Sequence, residues 1–303
     1  MEKQAKIILI LPYFGKWPIW LDAFMISVEK NPTIQWLIPT DCDIPTQYPN
    51  NIKFVSTTLK ELNNFIDSKL GFGITLSPKK LCDLKPAYGH LFEDDIKEFD
   101  FWGFTDLDII YGNIRKFITA EMLDNYDMIS SRKNALSGHF TLVKNNSKMN
   151  FLYKSTPNYK ELYQKMEMVC FDEAHFYAYC KEIKDSFRLY NSEFLLNHER
   201  GKDSYQEYVL NKCFWRNGEV FCQNKEIMYL HFMNWKNLMT FSEVNYTNKV
   251  DSFYISYTGI HLNLFPFLVE SYHNFKNYFF GFYFSRKVKK VKKFIKKRLK
   301  IQA

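Results

Sequence analysis

Hydrophobic and polar residues alternate along the first half of the chain in segments of two kinds. Short runs of large apolar residues, typical of buried strands, are separated by segments with apolar side chains three or four positions apart, typical of amphipathic helices. The strand-like runs are Ile7–Tyr13, Gln35–Pro39, Ile52–Ser56, Phe99–Thr105, Asp127–Ser131 and His139–Val143. The helix-like segments are Ile19–Glu29, Thr58–Lys69, a segment beginning at Ser77, and Asn113–Met122. This alternation predicts an α/β fold with a mostly parallel sheet covered by helices.

The pattern is less regular after about residue 145. Residues 151–190 are predicted to be mainly helical, and Glu226–Phe232 has the composition of a strand. Residues 250–284 are aromatic and irregular, and a basic segment follows in which apolar residues recur at helical spacing. We therefore predict a main α/β domain over residues 1–245 and an aromatic, then basic and amphipathic, helical extension over residues 246–303.

Two carboxylates, Asp106 and Asp108, follow the strand-like run Phe99–Thr105. In open α/β sheets, ligands bind beyond the carboxyl ends of the strands. Residues two apart in an extended segment project to the same side, which places both carboxylates together and turns Leu107 toward the core. Paired carboxylates are oxygen ligands suited to Mg²⁺ or Mn²⁺. The alternative is a solvated turn, where Asp is common; Trp102 and the buried-strand pattern favour the metal site.

The chain's composition indicates a folded protein with an unusual excess of aromatic residues. Hydrophobic residues make up 46% of its 303 positions, which excludes a disordered chain. Aromatic residues make up 18%, with 29 Phe and 20 Tyr. This excess requires either a dense core or an apolar surface that meets a partner or a membrane.

The positive charge is concentrated at the C-terminus. The net charge is +8, but ten basic residues and no acidic one lie between Arg286 and Lys300. Without these ten charges the remaining chain carries about −2, which argues against nucleic acid as a partner. An apolar stripe in this segment and the aromatic residues before it suit an anionic membrane surface. A disordered solubilising tail and a nucleic-acid arm are the alternatives.

Cysteine usage and the lack of targeting signals favour a cytoplasmic protein, peripheral on the inner face of the cell membrane. The six cysteines show no C-x-x-C spacing, which is typical of reduced, buried thiols and argues against a zinc site. The apolar run Ile7–Leu11 is too short for a signal peptide, and no segment has the apolar length of a membrane-spanning helix. Gly71 and Gly73 lack the third glycine of a dinucleotide-binding fingerprint.

Five sequence blocks occur in an order that resembles a known enzyme family. They are residues 12–15 (Pro-Tyr-Phe-Gly), Lys80–Pro86, Phe101–Asp108, Gly138–Leu142 and His231-Phe232. This order resembles the glycosyltransferases of GT-A fold encoded in bacterial capsule and O-antigen clusters, over roughly residues 5–240. The resemblance implies a GT-A-like (Rossmann-like) sheet and an enzyme that transfers a sugar from a nucleotide-diphosphate donor to a lipid-linked saccharide in surface polysaccharide biosynthesis.

By this resemblance, Asp106 and Asp108 hold a Mn²⁺ or Mg²⁺ ion that bridges the diphosphate of a nucleotide sugar, with a UDP-sugar as the expected donor. His231 is the implied third ligand, and a core histidine hydrogen-bonded to backbone is the alternative. Tyr13 and Phe14 end the first strand, where a nucleotide base stacks in this fold. The alternative is that both rings belong to the core.

Further charged side chains are expected around the same phosphates, because neutralising the leaving diphosphate favours cleavage of its bond to the sugar. Lys80, Lys85 and Lys236 are the candidates, and Asp83 is a candidate for the ribose or a base edge. Solvated lysines are the alternative for the first three. Asp83 could equally pair with Lys79 or Lys80 on a helix face.

The adjacent carboxylates Asp172 and Glu173 are the candidate catalytic residues. Either can act as a base or bind acceptor hydroxyls, and a solvated helix face is the alternative. Two other classes of protein stay open at this point. One is a nucleotidyltransferase, which also uses paired aspartates, and the other is a non-catalytic peripheral membrane protein with a structural Asp-x-Asp.

Overall fold

The computed structural model describes residues 4–192, 194, 210–222, 224–232, 235–279, 288 and 291–292. Within them the strands are β1 (Ile7–Ile10), β2 (Ile34–Thr40), β3 (Ile52–Ser56), β4 (Phe101–Thr105), β5 (Ile109–Tyr111), β6 (Met128–Ser130), β7 (Phe140–Lys144), β8 (Leu189–Asn191), β9 (Cys213–Arg216), β10 (Glu219–Cys222), β11 (Lys225–Ile227), β12 (Tyr229–His231), β13 (Phe241–Ser242), β14 (Ser252–Ser256) and β15 (Gly259–His261). The α-helices are α1 (Leu21–Glu29), α2 (Leu59–Leu70), α3 (Tyr88–Leu91), α4 (Ile114–Phe117), α5 (Ala120–Asn125), α6 (Ser147–Asn150), α7 (Tyr159–Gln164), α8 (Tyr177–Glu182) and α9 (Phe267–Phe279).

Seven strands form the central sheet, in the order β3-β2-β1-β4-β7-β6-β8. The strands from β3 to β4 are parallel to one another, β7 is antiparallel to β4 and β6, and β8 is parallel to β6. Every residue of β1 and β4 is buried, as expected of parallel strands covered on both faces. The predicted α/β class, with a largely parallel sheet and helices, is confirmed.

Two hydrophobic cores cover the faces of this sheet. One contains Trp36 and Phe24, and the other contains Trp102 and Tyr88. Because β1 and β4 are adjacent and parallel, their carboxyl ends meet at one edge of the sheet. The polar residues that follow the two strands are thereby brought together.

A second sheet has the order β11-β10-β9-β14-β15-β13, and β12 pairs separately with β5. In this second sheet, β14 pairs with β9, which starts at Cys213, and β15 pairs with β14. The sheet therefore continues past residue 246, where sequence analysis places a domain boundary. Residues 250–261, expected to be irregular, contain these two strands.

Three predicted elements differ from the structure. The helix predicted over Asn113–Met122 is instead α4 and α5, because the Thr119 side chain accepts a hydrogen bond from the Met122 N–H and starts a new helix. The strand predicted over Glu226–Phe232 is instead β11 and β12, which pair in different sheets. Residues 151–190, predicted mainly helical, contain only short helices and enter β8.

A disulfide joins Cys213 and Cys222, so the expectation of reduced thiols is wrong for this pair. The two residues lie directly opposite each other on the antiparallel strands β9 and β10. Their spacing along the chain matches no familiar motif, and only the register of the two strands brings them together. The other four cysteines are free.

No helix in the described part of the chain combines the length and the apolar character needed to cross a membrane. The amphipathic helix predicted over residues 286–300 lies outside the described residues, apart from Val288, Val291 and Lys292.

Candidate functional site

The two carboxylates lie in a bend between β4 and β5, not in a continuing strand. Leu107, between them, is buried as expected, and its carbonyl accepts a hydrogen bond from Trp20 Nε1 at 3.1 Å. Asp108 is buried and Asp106 is partly exposed. The bend therefore fixes its apolar residue in the core and leaves both acidic residues at the sheet edge.

Strand β12 brings a histidine to these carboxylates. His231 pairs with Ile109 of β5, and Phe232 N donates a hydrogen bond to Asp108 O at 2.9 Å. His231 Nε2 lies 3.3 Å from Asp108 Oδ2. One ligand atom from each of Asp106, Asp108 and His231 lies within 4.8 Å of the other two. The three residues proposed as metal ligands from the sequence thus converge in the fold.

This donor set fits a divalent cation. Two carboxylates and an imidazole suit Mn²⁺, and the carboxylates also suit Mg²⁺. Burial alone would raise the pKa of Asp108, but the adjacent His231 and Lys236 outweigh it and hold that pKa well below its usual value. Asp108 is therefore an anion at neutral pH, the form that binds a metal.

Two lysines contact the carboxylates. Lys85 Nζ lies 2.5 Å from Asp106 Oδ1 and donates a hydrogen bond to Gly138 O at 2.6 Å. Lys236 Nζ lies 2.7 Å from Asp108 Oδ2. Burial would lower the pKa of each lysine, but the facing carboxylates raise both pKa values, so both side chains are cations. The Lys85 side chain is 6% exposed and that of Lys236 is 47% exposed, so only Lys236 is free to turn toward a ligand.

The site opens into a cleft of about 470 Å³. Residues predicted from the sequence that line it are Tyr13, Lys85, Asp106, Asp108 and Lys236. Lining residues that sequence analysis missed include Lys79, Cys82 and Asn237. Nothing in their local sequence distinguishes them, because the fold alone brings them to this edge.

Aromatic and thiol groups complete the lining of this cleft. The ring of Tyr13 stacks on Trp17 with centroids 5.3 Å apart, and its hydroxyl donates to Lys16 O at 2.8 Å. These two contacts hold the Tyr13 ring just beyond the carboxyl end of β1. Burial raises the pKa of Cys82 to about 11, so this residue is a neutral thiol at neutral pH.

The second predicted acidic pair lies close to Lys85. A π-helical turn over Phe171–Phe176 carries Asp172 and Glu173. A Cβ atom at Gly138 would lie 2.9 Å from Asp172 Oδ2 and 3.9 Å from Lys85 Nζ. The absence of a side chain at Gly138 therefore lets the Asp172 carboxylate approach this lysine.

Asp172 and Glu173 differ in environment. Asp172 is buried, and burial raises its pKa to about 7 although Lys85 opposes the shift. Glu173 is partly exposed and forms an ion pair with Arg132 at 3.1 Å. Arg132 was missed from the sequence, because its contact with Glu173 arises only from the fold. Asp172 can thus accept a proton near neutral pH, whereas Glu173 is held by a fixed cation.

Lys80, Asp83 and Phe14 lie in the interior and not in the cleft. The Lys80 and Asp83 side chains are fully buried and pair at 3.0 Å. Asp83 also accepts hydrogen bonds from the backbone N–H groups of Val169 and Phe171. Their charges are satisfied inside the protein, which corrects the expectation that they contact a nucleotide. Phe14 belongs to the core, the alternative left open from the sequence.

His139 supports the His231 ring. The two imidazoles stack with centroids 4.4 Å apart, and His139 Nδ1 lies 2.7 Å from Tyr229 OH. Tyr229 OH also contacts Ser131 Oγ. Sequence analysis assigned His139 no role, because its partners lie far away in the chain.

The fold and the acidic site define an α/β protein with a candidate metal centre at the carboxyl edge of its sheet. Residues 9–263 match the model of the Family of unknown function (DUF6625), so the chain belongs to this family. No curated protein matches the chain.

Several solved structures are similar to this chain. One is a glycosyltransferase involved in glycosylation of the major capsid of PBCV-1, with a TM-score of 0.42, 10% identity, and coverage of 75% of this chain and 92% of that chain. Another is mouse xyloside xylosyltransferase 1, with a TM-score of 0.40, 11% identity, and coverage of 74% and 97%. A third is the galactosyltransferase LgtC with donor and acceptor sugar analogues, with a TM-score of 0.38, 8% identity, and coverage of 74% and 87%.

Proposed function

We propose that this protein is a metal-dependent glycosyltransferase. It moves a sugar from a nucleotide-diphosphate donor, a UDP-sugar, to a lipid-linked saccharide in surface polysaccharide (capsule or O-antigen) biosynthesis. The observation that carries the proposal is the convergence of Asp106, Asp108 and His231, with two lysines in contact with the two carboxylates. Three ligand groups for a hard cation, next to cationic side chains, complement the charge of a diphosphate.

Each residue of the cleft has a distinct part in binding the donor. Asp106, Asp108 and His231 would hold a Mn²⁺ or Mg²⁺ ion, which would supply Lewis-acid neutralisation of the leaving diphosphate. Lys236, half exposed, donates hydrogen bonds to phosphate oxygens. Lys85, fixed between Asp106 and Gly138 O, orients the Asp106 carboxylate. Its role is positioning, since its buried ammonium group is held by these two oxygens.

Tyr13 and the acidic pair extend the site on either side of the phosphates. Tyr13, held against Trp17, offers an aromatic face to the nucleotide base. Asp172 is the base that accepts the proton of the acceptor hydroxyl, because its pKa near 7 suits proton transfer at neutral pH. Glu173, paired with Arg132, binds acceptor hydroxyls.

The location of the acceptor rests on the basic segment. Residues 286–300 carry ten basic residues and no acidic one. Each basic residue near an anionic leaflet contributes about 1 kcal/mol, so half of them suffice for peripheral attachment. This charge supports a position on the cytoplasmic face of the membrane, where lipid-linked saccharides are reached without crossing the bilayer.

A thermal-shift screen of nucleotide sugars, with and without Mn²⁺, tests the donor and the metal together. A ligand at 100 times its Kd stabilises the folded state by about 2.7 kcal/mol. We expect the melting temperature to rise with a UDP-sugar only when Mn²⁺ is present. No metal-dependent shift with any nucleotide sugar would contradict the proposal and favour a non-catalytic membrane protein.

When no acceptor is present, such an enzyme slowly hydrolyses its donor, and the products of this hydrolysis distinguish the two enzyme classes. A glycosyltransferase releases nucleoside diphosphate and free sugar from its donor. A nucleotidyltransferase instead acts at the α-phosphorus of a nucleoside triphosphate, where the bond to the β-phosphate breaks and pyrophosphate leaves. Release of pyrophosphate, with no cleavage of any nucleotide sugar, would replace the proposed activity with nucleotidyl transfer.

A further inference from the structure

Helix α9 directs polar side chains toward the protein. Glu270 Oε2 accepts a hydrogen bond from Asn211 Nδ2 at 2.8 Å, and His273 Nδ1 lies 3.1 Å from Tyr257 OH. Both partners belong to the part of the chain that builds the second sheet. These contacts fix which side of α9 faces the body of the protein.

The other side of α9 is apolar and exposed. Phe267, Leu268, Tyr272 and Phe275 are 78%, 79%, 60% and 57% exposed. Leu268, Tyr272 and Phe275 follow one another at spacings of four and three, so they share one face of the helix. A surface helix of a globular protein normally turns this kind of face to the core. The reversed arrangement in α9 indicates a surface that contacts an apolar partner.

The exposed apolar residues of the described chain are concentrated here. Of fifteen large apolar side chains that are exposed, seven lie between Leu262 and Phe275. The remaining eight are scattered, and single exposed apolar residues are ordinary. The group at α9 therefore forms a patch.

The charge that follows α9 identifies the partner. The helix ends at Phe279, and the run of ten basic residues begins at Arg286. An apolar face next to dense positive charge complements an anionic bilayer, where apolar side chains enter the headgroup boundary and cations meet lipid phosphates. A second copy of this chain would bring the same positive run to the same place and repel it.

We propose that the outer face of α9, formed by Leu268, Tyr272 and Phe275 with the exposed Phe267 beside it at the start of the helix, inserts into the interface of an anionic phospholipid bilayer. The face acts together with residues 286–300, which supply the electrostatic attraction. This inference rests on the membrane association proposed above, and its test makes no use of sugar transfer.

Co-sedimentation of the full-length protein with vesicles tests the inference. The vesicles are phosphatidylcholine with or without phosphatidylglycerol, over a series of salt concentrations. We expect the double variant Leu268→Ser/Tyr272→Ser to bind anionic vesicles roughly tenfold more weakly than the wild type. Wild-type binding should persist in part at high salt, and the part that persists should be clearly smaller in the double variant, because fewer apolar side chains are left to enter the bilayer.

Two further variants make the result specific. Met166→Ser removes an apolar side chain that is 73% exposed outside this patch, and it should bind like the wild type. Phe267→Ser alters α9 at an independent position and should weaken binding in the same direction. Because the substituted side chains are exposed, the double variant and both single variants should have the same melting temperature as the wild type.

Equal vesicle binding of the wild type and the α9 variants would overturn the inference. Wild-type self-association without vesicles, lost in the variants on analytical ultracentrifugation, would also overturn it and assign the face to a second copy of the chain. Intact vesicle binding without metal-dependent cleavage of any donor would instead refute the proposed function and leave the role of α9 in place.

Discussion

The two lysine–carboxylate contacts of the cleft differ in energy because they differ in burial. The Lys85–Asp106 contact is made by a lysine that is almost fully buried, and removing one partner of a buried pair costs about 3–5 kcal/mol. The Lys236–Asp108 contact joins a half-exposed lysine to a buried carboxylate that also lies 3.3 Å from His231 Nε2, so Asp108 keeps a polar partner when Lys236 turns away. Lys85 therefore maintains the site, whereas Lys236 can exchange its carboxylate for a phosphate at little cost.

We expect Asp108→Asn to lower metal-dependent transfer by at least about 100-fold, because the neutral amide oxygen is a much weaker ligand than the carboxylate for the cation that neutralises the leaving group. Calorimetric titration with Mn²⁺ and donor turnover measure the two effects. Asp43→Asn, an exposed carboxylate on the loop after β2, is the matched control and should retain both. Near-normal turnover of Asp108→Asn with Mn²⁺ present would contradict the metal site.

The buried Asp172 predicts a distinctive dependence of stability on pH. Its pKa is raised from 3.8 to about 7, so the folded protein holds this proton more tightly than the unfolded chain does. The resulting stabilisation is fully present below about pH 4 and is lost as the pH rises through about 7. The loss is at most about 1.4 kcal/mol per pH unit.

Asp172→Asn cannot titrate and should lack this contribution. Melting curves between pH 4 and 7 should show the wild type losing stability relative to the variant as the pH rises. Over the same range the wild-type transfer rate should increase, because the carboxylate form is the proposed base, and the variant should be nearly inactive. Parallel melting curves would show that Asp172 is not buried as a neutral acid.

At the scale of elements, the segment that leads into β7 and the π-helical turn over Phe171–Phe176 meet at Gly138. Alanine there would place a Cβ atom 2.9 Å from Asp172 Oδ2 and 3.4 Å from Glu173 Oε1. The atoms in contact are the ends of flexible side chains, so they can move without unfolding the protein. The substitution therefore displaces the acidic pair and leaves the metal ligands in place.

We expect Gly138→Ala to reduce kcat roughly tenfold or more, because misplaced catalytic groups lose rate steeply, while the Kd for Mn²⁺ and the melting temperature change little. The control is Gly73→Ala, where an added Cβ meets no atom within 4 Å. Steady-state kinetics and metal titration of both variants give the comparison. If Gly138→Ala lost metal affinity in proportion to kcat, the substitution would disturb the metal ligands as well as the acidic pair, and the two groups could not be treated as independent.

Elements with strong local signals could be predicted, and those set by distant partners could not. The continuous apolar run of β4 predicted both the strand and the position of Asp106 and Asp108 at its end. The Lys80–Asp83 pair lies three residues apart, and the sequence already offered this ion pair as an alternative to nucleotide binding. The pairing of Cys213 with Cys222 depends on the register of two strands, which no local pattern encodes.

The site residues follow the same rule: those with a signal in the sequence could be predicted, and those brought in by remote segments could not. Asp106 and Asp108 were predicted from their position after a buried strand, and His231 from the resemblance to GT-A glycosyltransferases; the three converge in the structure. The contact of Arg132 with Glu173 was missed, because it forms only when two remote segments meet. A strand containing His231 was predicted, but its pairing with β5 was not.

At the scale of the whole molecule, the sequence falls into two parts of different charge. The chain outside residues 286–300 carries about −2, and residues 286–300 carry +10. An anionic vesicle therefore attracts only the C-terminal segment, and this attraction extends over a Debye length of about 10 Å at 0.1 M salt. Transfer to an acceptor in the membrane should depend on that segment, and transfer to a soluble acceptor should not.

The full-length variant with Lys289, Lys290, Lys292 and Lys293 changed to Glu tests this separation. We expect unchanged kcat/KM on a soluble acceptor analogue and a steep loss on the same acceptor anchored in anionic vesicles, because four reversals remove most of the segment's charge. The control makes the same change in net charge at exposed lysines elsewhere, namely Lys60, Lys165, Lys184 and Lys225. It should keep both activities, since these lysines lie outside the basic segment. An equal loss in the two variants would mean that net charge, and not the position of the basic segment, brings the protein to its acceptor.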